Sequence, residues 1–220
     1  MNHNSSSASG RPGRLRDRLR EATAEAILEA AEEAFAVEGP KARMESISAR
    51  AGIAVGTLYN HFADREALWA ALCTSRREAL LVRLDEALER SRALPFAQAL
   101  RAFLDAFAAH WTAHRGFLAV LIQAEPRGAR SPRAGRERTM ASELAARAAA
   151  LVRRGVDDGD LRADGASRYP ALLMGMVRGM LFQHIDEAGP PVSAADLDAV
   201  VDLFLHGAAP RQSGVGATRR

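Results

Sequence analysis

The chain has 220 residues, a formal net charge of +3, 48% hydrophobic residues and only 5% aromatic ones. That is enough apolar material for one large or two small domains. Ala and Leu dominate and strand-like Val/Ile/Thr alternation is scarce, so an all-α protein is expected. The single cysteine, Cys73, excludes an intramolecular disulfide and a cysteine-rich zinc centre. Residues 169–185 form the best apolar run but contain Arg178 and Gln183, and residues 1–10 lack a signal-sequence core. A soluble, cytoplasmic chain with no membrane partner is the expectation.

Residues 1–20 carry Arg11, Arg14, Arg16, Arg18 and Arg20 against Asp17 alone. They read as a disordered basic arm, either a solubilising tail or a segment that reaches phosphates or a minor groove. Residues 23–38 follow as a helix with Ile27, Ala31, Ala34 and Phe35 inward, closed by Gly39-Pro40. Residues 44–51 then place Met44, Ile47, Ser48 and Ala51 at helical spacing, and Gly52 stands where a helix ends in a left-handed residue. A second periodic run begins at Val55, with Leu58 and Phe62 four apart. Two short helices on a glycine turn make a helix-turn-helix whose second helix has the size to enter a DNA major groove.

The outward face of that second helix carries Val55, Gly56, Thr57, Tyr59, Asn60 and His61. Gly56 lets backbone approach a phosphate, Thr57 and Tyr59 can donate to phosphate oxygens, and Val55 can touch a thymine methyl. Glu21, Glu25, Glu29, Glu32, Glu33 and Glu38 give the preceding helix an acidic face expected to point away from DNA.

The run Ala51-Gly52-Ile53-Ala54-Val55-Gly56-Thr57-Leu58-Tyr59-Asn60-His61-Phe62-Ala63-Asp64-Arg65-Glu66-Ala67-Leu68 resembles the DNA-binding signature of TetR-family transcriptional regulators. The resemblance extends upstream through residues 27–35 and Gly39. It implies that Thr57, Tyr59, His61 and Arg65 meet the operator backbone; Arg43 stands where such a contact is plausible. Four positions depart from the family pattern: Ala42 and Arg43 stand where Thr or Ser is usual, Ala54 replaces a capping Ser, and Arg65 stands where Lys is usual. Each lost cap costs about 0.5–2 kcal/mol of helix stability unless another group takes the free amides. Arg65 replaces a Lys, keeping the charge but presenting a planar fork.

Asp64 is placed to cap a long helix reaching about residue 90, with Leu68, Leu72, Leu80, Leu81, Leu84 and Leu88 apolar and Arg76 and Arg77 solvated. Pro95 restarts a helix whose stripe is Phe96, Leu100, Phe103, Leu104, Phe107, Trp111 and His114. The stripe reads as core or as the lining of a small-molecule pocket. A further short helix is expected over 116–124, with Phe117, Leu118, Leu121 and Ile122. The basic loop 126–136 is a solvated connection or an attractor of acidic ligands. Residues 137–154 form the next helix, with Met140, Leu144, Ala148, Leu151 and Val152 inward. The glycine-punctuated turn at 155–164 again resembles TetR-family C-terminal domains.

Helices over 167–187 and 194–206 complete the chain, the second capped by Ser193 and stopped by Gly207. The first is apolar on two faces, with Leu172, Met176 and Met180 on one and Leu173, Val177 and Leu181 on another. Gly175 and Gly179 form a flat strip beside Phe182. A helix apolar on two faces needs two partners. The resemblance implies a homodimer through this pair of helices, with Gly175, Met176, Gly179, Met180, Val201 and Phe204 at the interface. A disordered tail over 208–220 is expected.

The expected organisation is a basic arm (1–20), a three-helix DNA-binding domain (21–68) and a helical effector-binding and dimerisation domain (69–207). No catalytic constellation stands out: there is no His-Glu-x-x-His, Lys-bearing glycine loop or nucleophile elbow. Asp157, Asp158 and Asp160 read as turn formers. His110 and His114 sit at i and i+4, but with no third ligand at helical spacing no metal or other cofactor is expected. The effector region is placed at Phe103, Phe107, His110, Trp111 and His114. Leu118, Leu121 and Ile122 extend it, as do Met140, Leu144, Met174 and Arg178. The functional expectation is a dimeric regulator, bound to a double-stranded operator and released by an unknown apolar or amphipathic effector. The rival reading is a DNA-binding protein whose C-terminal domain only dimerises or meets a protein partner.

Overall fold

Among the residues that the computed structural model describes, 12–124, 140–185 and 189–208, the backbone forms eight α-helices, two single-turn 3-10 helices and no strand. The helices are α1 (Pro12–Glu38), α2 (Met44–Arg50), α3 (Val55–His61), α4 (Arg65–Arg90), α5 (Phe96–Ala124), α6 (Met140–Asp157), α7 (Tyr169–Gln183) and α8 (Ala194–Ala208). The chain divides into two compact units at Thr74/Ser75, within α4. Residues 1–11, the loop at 126–136, residues 137–139 and the tail from 209 lie outside the described residues.

The first unit is a small bundle around Ile27, Ala31, Ala34, Phe35, Ile47, Leu58, Leu68 and Leu72, all fully buried. Burying one such Leu or Ile side chain contributes about 1.5–3 kcal/mol. The Trp69 ring meets Phe35 edge-on at 4.7 Å and ties α4 to α1. Gly39, at φ +74°, ends α1 as the Gly-Pro pair predicts. The start of α1 corrects the sequence reading. Residues 12–20, expected as part of a disordered arm, are helical, because Pro12 suits the first helical position and the Arg/Leu run after it favours helix.

The second unit packs α5 against α6, α7 and α8. Its core holds Phe96, Leu100, Phe103, Leu104, Leu151, Val152, Leu173 and Val177. The two helices expected on either side of residue 115 meet at a kink within α5, where His114 leaves helical geometry (φ −120°, ψ 18°). Gly155 lies under the Phe96 ring; a Cβ there would sit 2.6 Å from a ring carbon. Arg154 donates to the carbonyls of Ser91 (2.9 Å) and Leu94, binding α6 to the turn after α4. Ser193 caps α8 as expected: its Oγ accepts the Asp196 amide at 3.3 Å, and its own amide donates to the Asp196 carboxylate at 2.8 Å. Arg76 and Arg77 are not both solvated. Arg76 is buried, and Arg77 donates Nε and Nη2 to one Glu143 oxygen at 2.8 and 2.6 Å.

Candidate functional site

The turn between α2 and α3 is set by Gly52, at φ +68°, with open space where a Cβ would point. Only glycine adopts this conformation without strain. The Ile53 amide donates back to the Ser48 carbonyl at 3.1 Å, and Ser48 itself satisfies its hydroxyl on the Glu45 carbonyl at 3.0 Å. Arg43 and Ala54 occupy the N-cap positions of α2 and α3, and neither makes a side-chain cap hydrogen bond. Asp64 does cap α4, accepting the Ala67 amide at 2.7 Å.

A carboxylate missed by the sequence reading holds α2 in place. Glu38, assigned to an acidic face pointing away, accepts from the Ser46 hydroxyl and, at 3.3 Å, from Arg50. The Ser46 hydrogen bond first, with the Arg50 charge behind it, pulls the Glu38 carboxyl below its ordinary value. Nothing in the spacing of Glu38 and Ser46 signals this pairing, since it depends on the turn at Gly39–Lys41.

Of the α3 residues, only Leu58 is buried. Gly56, Tyr59 and Asn60 are exposed, while Val55, Thr57 and His61 are partly so. The expected outward face is thus brought together on one short helix, with exposed Arg43 at the start of α2. Arg65, at the first position of α4, is engaged with Glu66 at 2.6 Å and must exchange that partner to meet a phosphate. A cleft of about 360 Å³ lies between α1 and the end of α3, walled by Asp17, Arg20, Glu21 and Ala24 on one side and His61 and Phe62 on the other.

In the second unit the proposed effector residues separate into three groups. Phe103 and Phe107 are buried and meet edge-on at 5.3 Å, so they fill core. His110 and Trp111 are also buried, and His114 packs its ring 4.6 Å from that of His110. Leu118, Leu121, Ile122, Met140, Leu144 and Met174 are partly buried. Arg178 does not belong with them: it is exposed and lies over the Phe182 ring at 5.3 Å. At the break in α5, Trp111 Nε1 and Arg115 Nε are buried without an acceptor, although Arg115 also donates to the Gly189 carbonyl at 3.0 Å. Nothing in the sequence around Arg115 signals this burial, since its partner Gly189 lies 74 residues away. Among the described residues no three His, Cys, Asp or Glu side chains gather as a metal site.

The interface expectation also needs correction. Met180 and Phe204 are core residues, Phe204 packing edge-on against Tyr169 at 6.0 Å. Met176 and Val201 are partly buried against the same core. The core stripe of α7 runs through Leu173, Val177 and Met180, which turns Leu172, Gly175, Gly179 and Phe182 outward. Leu203 of α8 is exposed as well.

Residues 27–72 match the model for bacterial regulatory proteins of the tetR family. No curated protein sequence matches the chain. Solved structures share its fold. The TetR-family regulator PfmR from Thermus thermophilus is 23% identical, with a TM-score of 0.64, covering 82% of this chain and 97% of its own. The ketosteroid transcriptional regulator KstR2 of Mycobacterium tuberculosis is 21% identical at a TM-score of 0.63, covering 86% and 95%. The regulator FadR from Bacillus subtilis, solved with stearoyl-CoA, is 17% identical at a TM-score of 0.68, covering 83% and 98%.

Proposed function

We propose that this chain, which carries the DNA-binding domain of the tetR family of bacterial regulatory proteins at residues 27–72, is a homodimeric repressor released from its operator by a small apolar or amphipathic effector. The observation that carries the reading is the exposed face of α3, where Gly56, Tyr59 and Asn60 stand free of the core while Leu58 anchors the helix behind them. Two such helices in a dimer enter successive major grooves of a pseudo-palindromic duplex, about 34–36 Å apart. Thr57, Tyr59, His61, Arg65 and Arg43 serve the backbone; Val55 and Asn60 serve the bases. The DNA-binding domain ends in the first turns of α4, and the remainder to residue 207 is the effector-binding and dimerisation domain.

The effector reading centres on the break in α5. A buried N–H without an acceptor costs about 1–3 kcal/mol, and Trp111 Nε1 and Arg115 Nε lie one turn apart there. An effector with an apolar body and an acceptor group satisfies both, with the partly buried Leu118, Leu121, Met140 and Leu144 for its body. Its binding lowers DNA affinity only by its preference for one of two conformations. The FadR relative was solved with stearoyl-CoA, an amphipathic molecule, which supports this class.

The experiment pairs thermal stabilisation by a panel of apolar and amphipathic compounds with operator affinity. A true effector at a hundred times its dissociation constant stabilises by about 2.7 kcal/mol and weakens DNA binding in parallel. Trp111→Phe keeps the packing but removes the donor, and should blunt the response while leaving operator affinity intact. Stabilisation by none of the panel, with DNA binding preserved, would favour a domain that only dimerises or meets a protein.

A further inference from the structure

The kink in α5 gathers two buried donors and a fixed positive charge. Trp111 is 5% exposed, and its Nε1 is closed to solvent without an acceptor, as is Arg115 Nε one turn later. Among the described residues, the Arg115 guanidinium meets only the neutral Gly189 carbonyl, through Nη2 at 3.0 Å. An arginine stays charged in any protein. Burying that charge is costly unless an opposite charge answers it.

The helices around the kink do not supply the answer. From residue 106 to 124, α5 carries His110, His114 and Arg115 but no Asp or Glu. Helices α6, α7 and α8 pack on it. Over Tyr169–Gln183, α7 has Arg178 and no carboxylate. On α6, Glu143 is held by Arg77 at 2.6 Å, and Asp157 is exposed. On α8, Asp196 is held by Ser193 at 2.8 Å, Asp198 by Arg101, and Asp202 by His206 at 3.0 Å. The kink is left with unbalanced positive charge.

The same neighbourhood limits where a ligand's body can lie. Upstream of Trp111, Phe103, Leu104 and Phe107 already fill the core. Downstream, Leu118, Leu121 and Ile122 are only partly buried, and so are Met140 and Leu144 of α6. From Arg115 to Ile122 the helix rises about 10 Å, long enough for a tail of several methylenes. Two donors on successive turns suit a head with two acceptor oxygens, and a carboxylate matches the guanidinium in both shape and charge.

We infer that this effector site selects monocarboxylates with an apolar tail. Trp111 Nε1 and Arg115 hold the head, and the tail lies along Leu118, Leu121 and Ile122. The inference rests on the effector reading above and adds the charge of the ligand to it.

The test varies the head group on a constant tail. The chain has two tryptophans, Trp69 and Trp111, so the full chain carrying Trp69→Phe reports through Trp111 emission alone. Decanoate, decanol and decylammonium are each titrated below the concentration at which they form micelles. Decanoate should shift the emission and bind about tenfold or more tighter than decanol, because hydrogen bonds between charged groups are the stronger ones. Decylammonium should bind more weakly than either, and acetate, which lacks the tail, more weakly than decanoate. Arg115→Gln should bring decanoate within about threefold of decanol, while Arg115→Lys should keep part of the preference. If the Gln variant does not fold, thermal stabilisation of the unmutated chain by the same compounds decides. Equal binding of decanoate and decanol, with both releasing the operator, would overturn the inference and leave the effector reading standing. A decanoate preference untouched by Arg115→Gln would place the head elsewhere and overturn it too. If no compound binds while the operator is still held, the effector reading falls and the inference falls with it.

Discussion

We place the contact of the proposed dimer at the outward Leu172, Phe182 and Leu203, so Leu203→Glu should break the dimer without unfolding the protomer. Leu203 is 66% exposed, Leu172 57% and Phe182 41%, and Gly175 and Gly179 leave open space beside the last two. Fully burying a Leu side chain contributes about 1.5–3 kcal/mol, so the exposed share of Leu203 has about 1–2 kcal/mol still to gain. A two-fold axis presents each residue twice, giving about 2–4 kcal/mol per dimer from this position alone. Glutamate forfeits that gain and adds the desolvation of two carboxylates. The dimer dissociation constant should therefore rise by at least about 30- to 700-fold, while protomer stability changes by no more than about 0.5 kcal/mol. Phe204→Ala is the contrast. At 4% exposure, packed on Tyr169 in the core, it should cost about 3–5 kcal/mol of stability. Sedimentation equilibrium over the micromolar range and urea unfolding read the two quantities separately. Leu203→Glu sedimenting like wild type at every concentration would refute the interface assignment, and so would a wild-type monomer.

Three further outcomes are expected. Tyr59 is 48% exposed, so Tyr59→Ala should leave the melting temperature nearly unchanged yet flatten the salt dependence of DNA binding by about 0.9 per protomer; wild-type affinity at every salt concentration would show that α3 is not the recognition helix. Gly52→Ala meets no steric obstacle but must hold φ near +68°, so it should destabilise the first unit by about 1–2 kcal/mol, with Gly52→Asn milder; an unaltered unfolding midpoint for Ala would count against the turn geometry. The Glu38 carboxyl is held below its ordinary 4.5 by Ser46, then Arg50. Its contribution to stability is therefore present above pH 4.5 and lost as pH falls through the lower folded value. Glu38→Gln should flatten the acid limb of first-unit unfolding, and an identical limb would remove Glu38 from that role.

The helix-turn-helix was legible in the sequence because its determinants are local. The period of Met44, Ile47, Leu58 and Phe62, the left-handed demand met by Gly52, and the Asp64 cap each act within a few residues. The same locality made the cores of α4 to α8 readable from their apolar stripes. What failed was whatever depended on which of two apolar faces meets the core. Met180 and Phe204 could each serve either side, and only packing against Tyr169, Leu173 and Val177 placed them inside, leaving Leu172, Phe182 and Leu203 out. Charged residues were undecided for a related reason: burial and partner are set by chain segments distant in sequence. Glu38 finds Ser46 across a turn, Arg77 finds Glu143 across 66 residues, and Arg115 turns inward to meet Gly189 across 74 residues. The helical state of residues 12–20 follows from Pro12 and the Arg/Leu run, whose helix propensity outweighs the repulsion between its like charges. The sequence determined the helical elements and the glycine turn between α2 and α3, while tertiary packing decided which apolar surface is core and which charges are held.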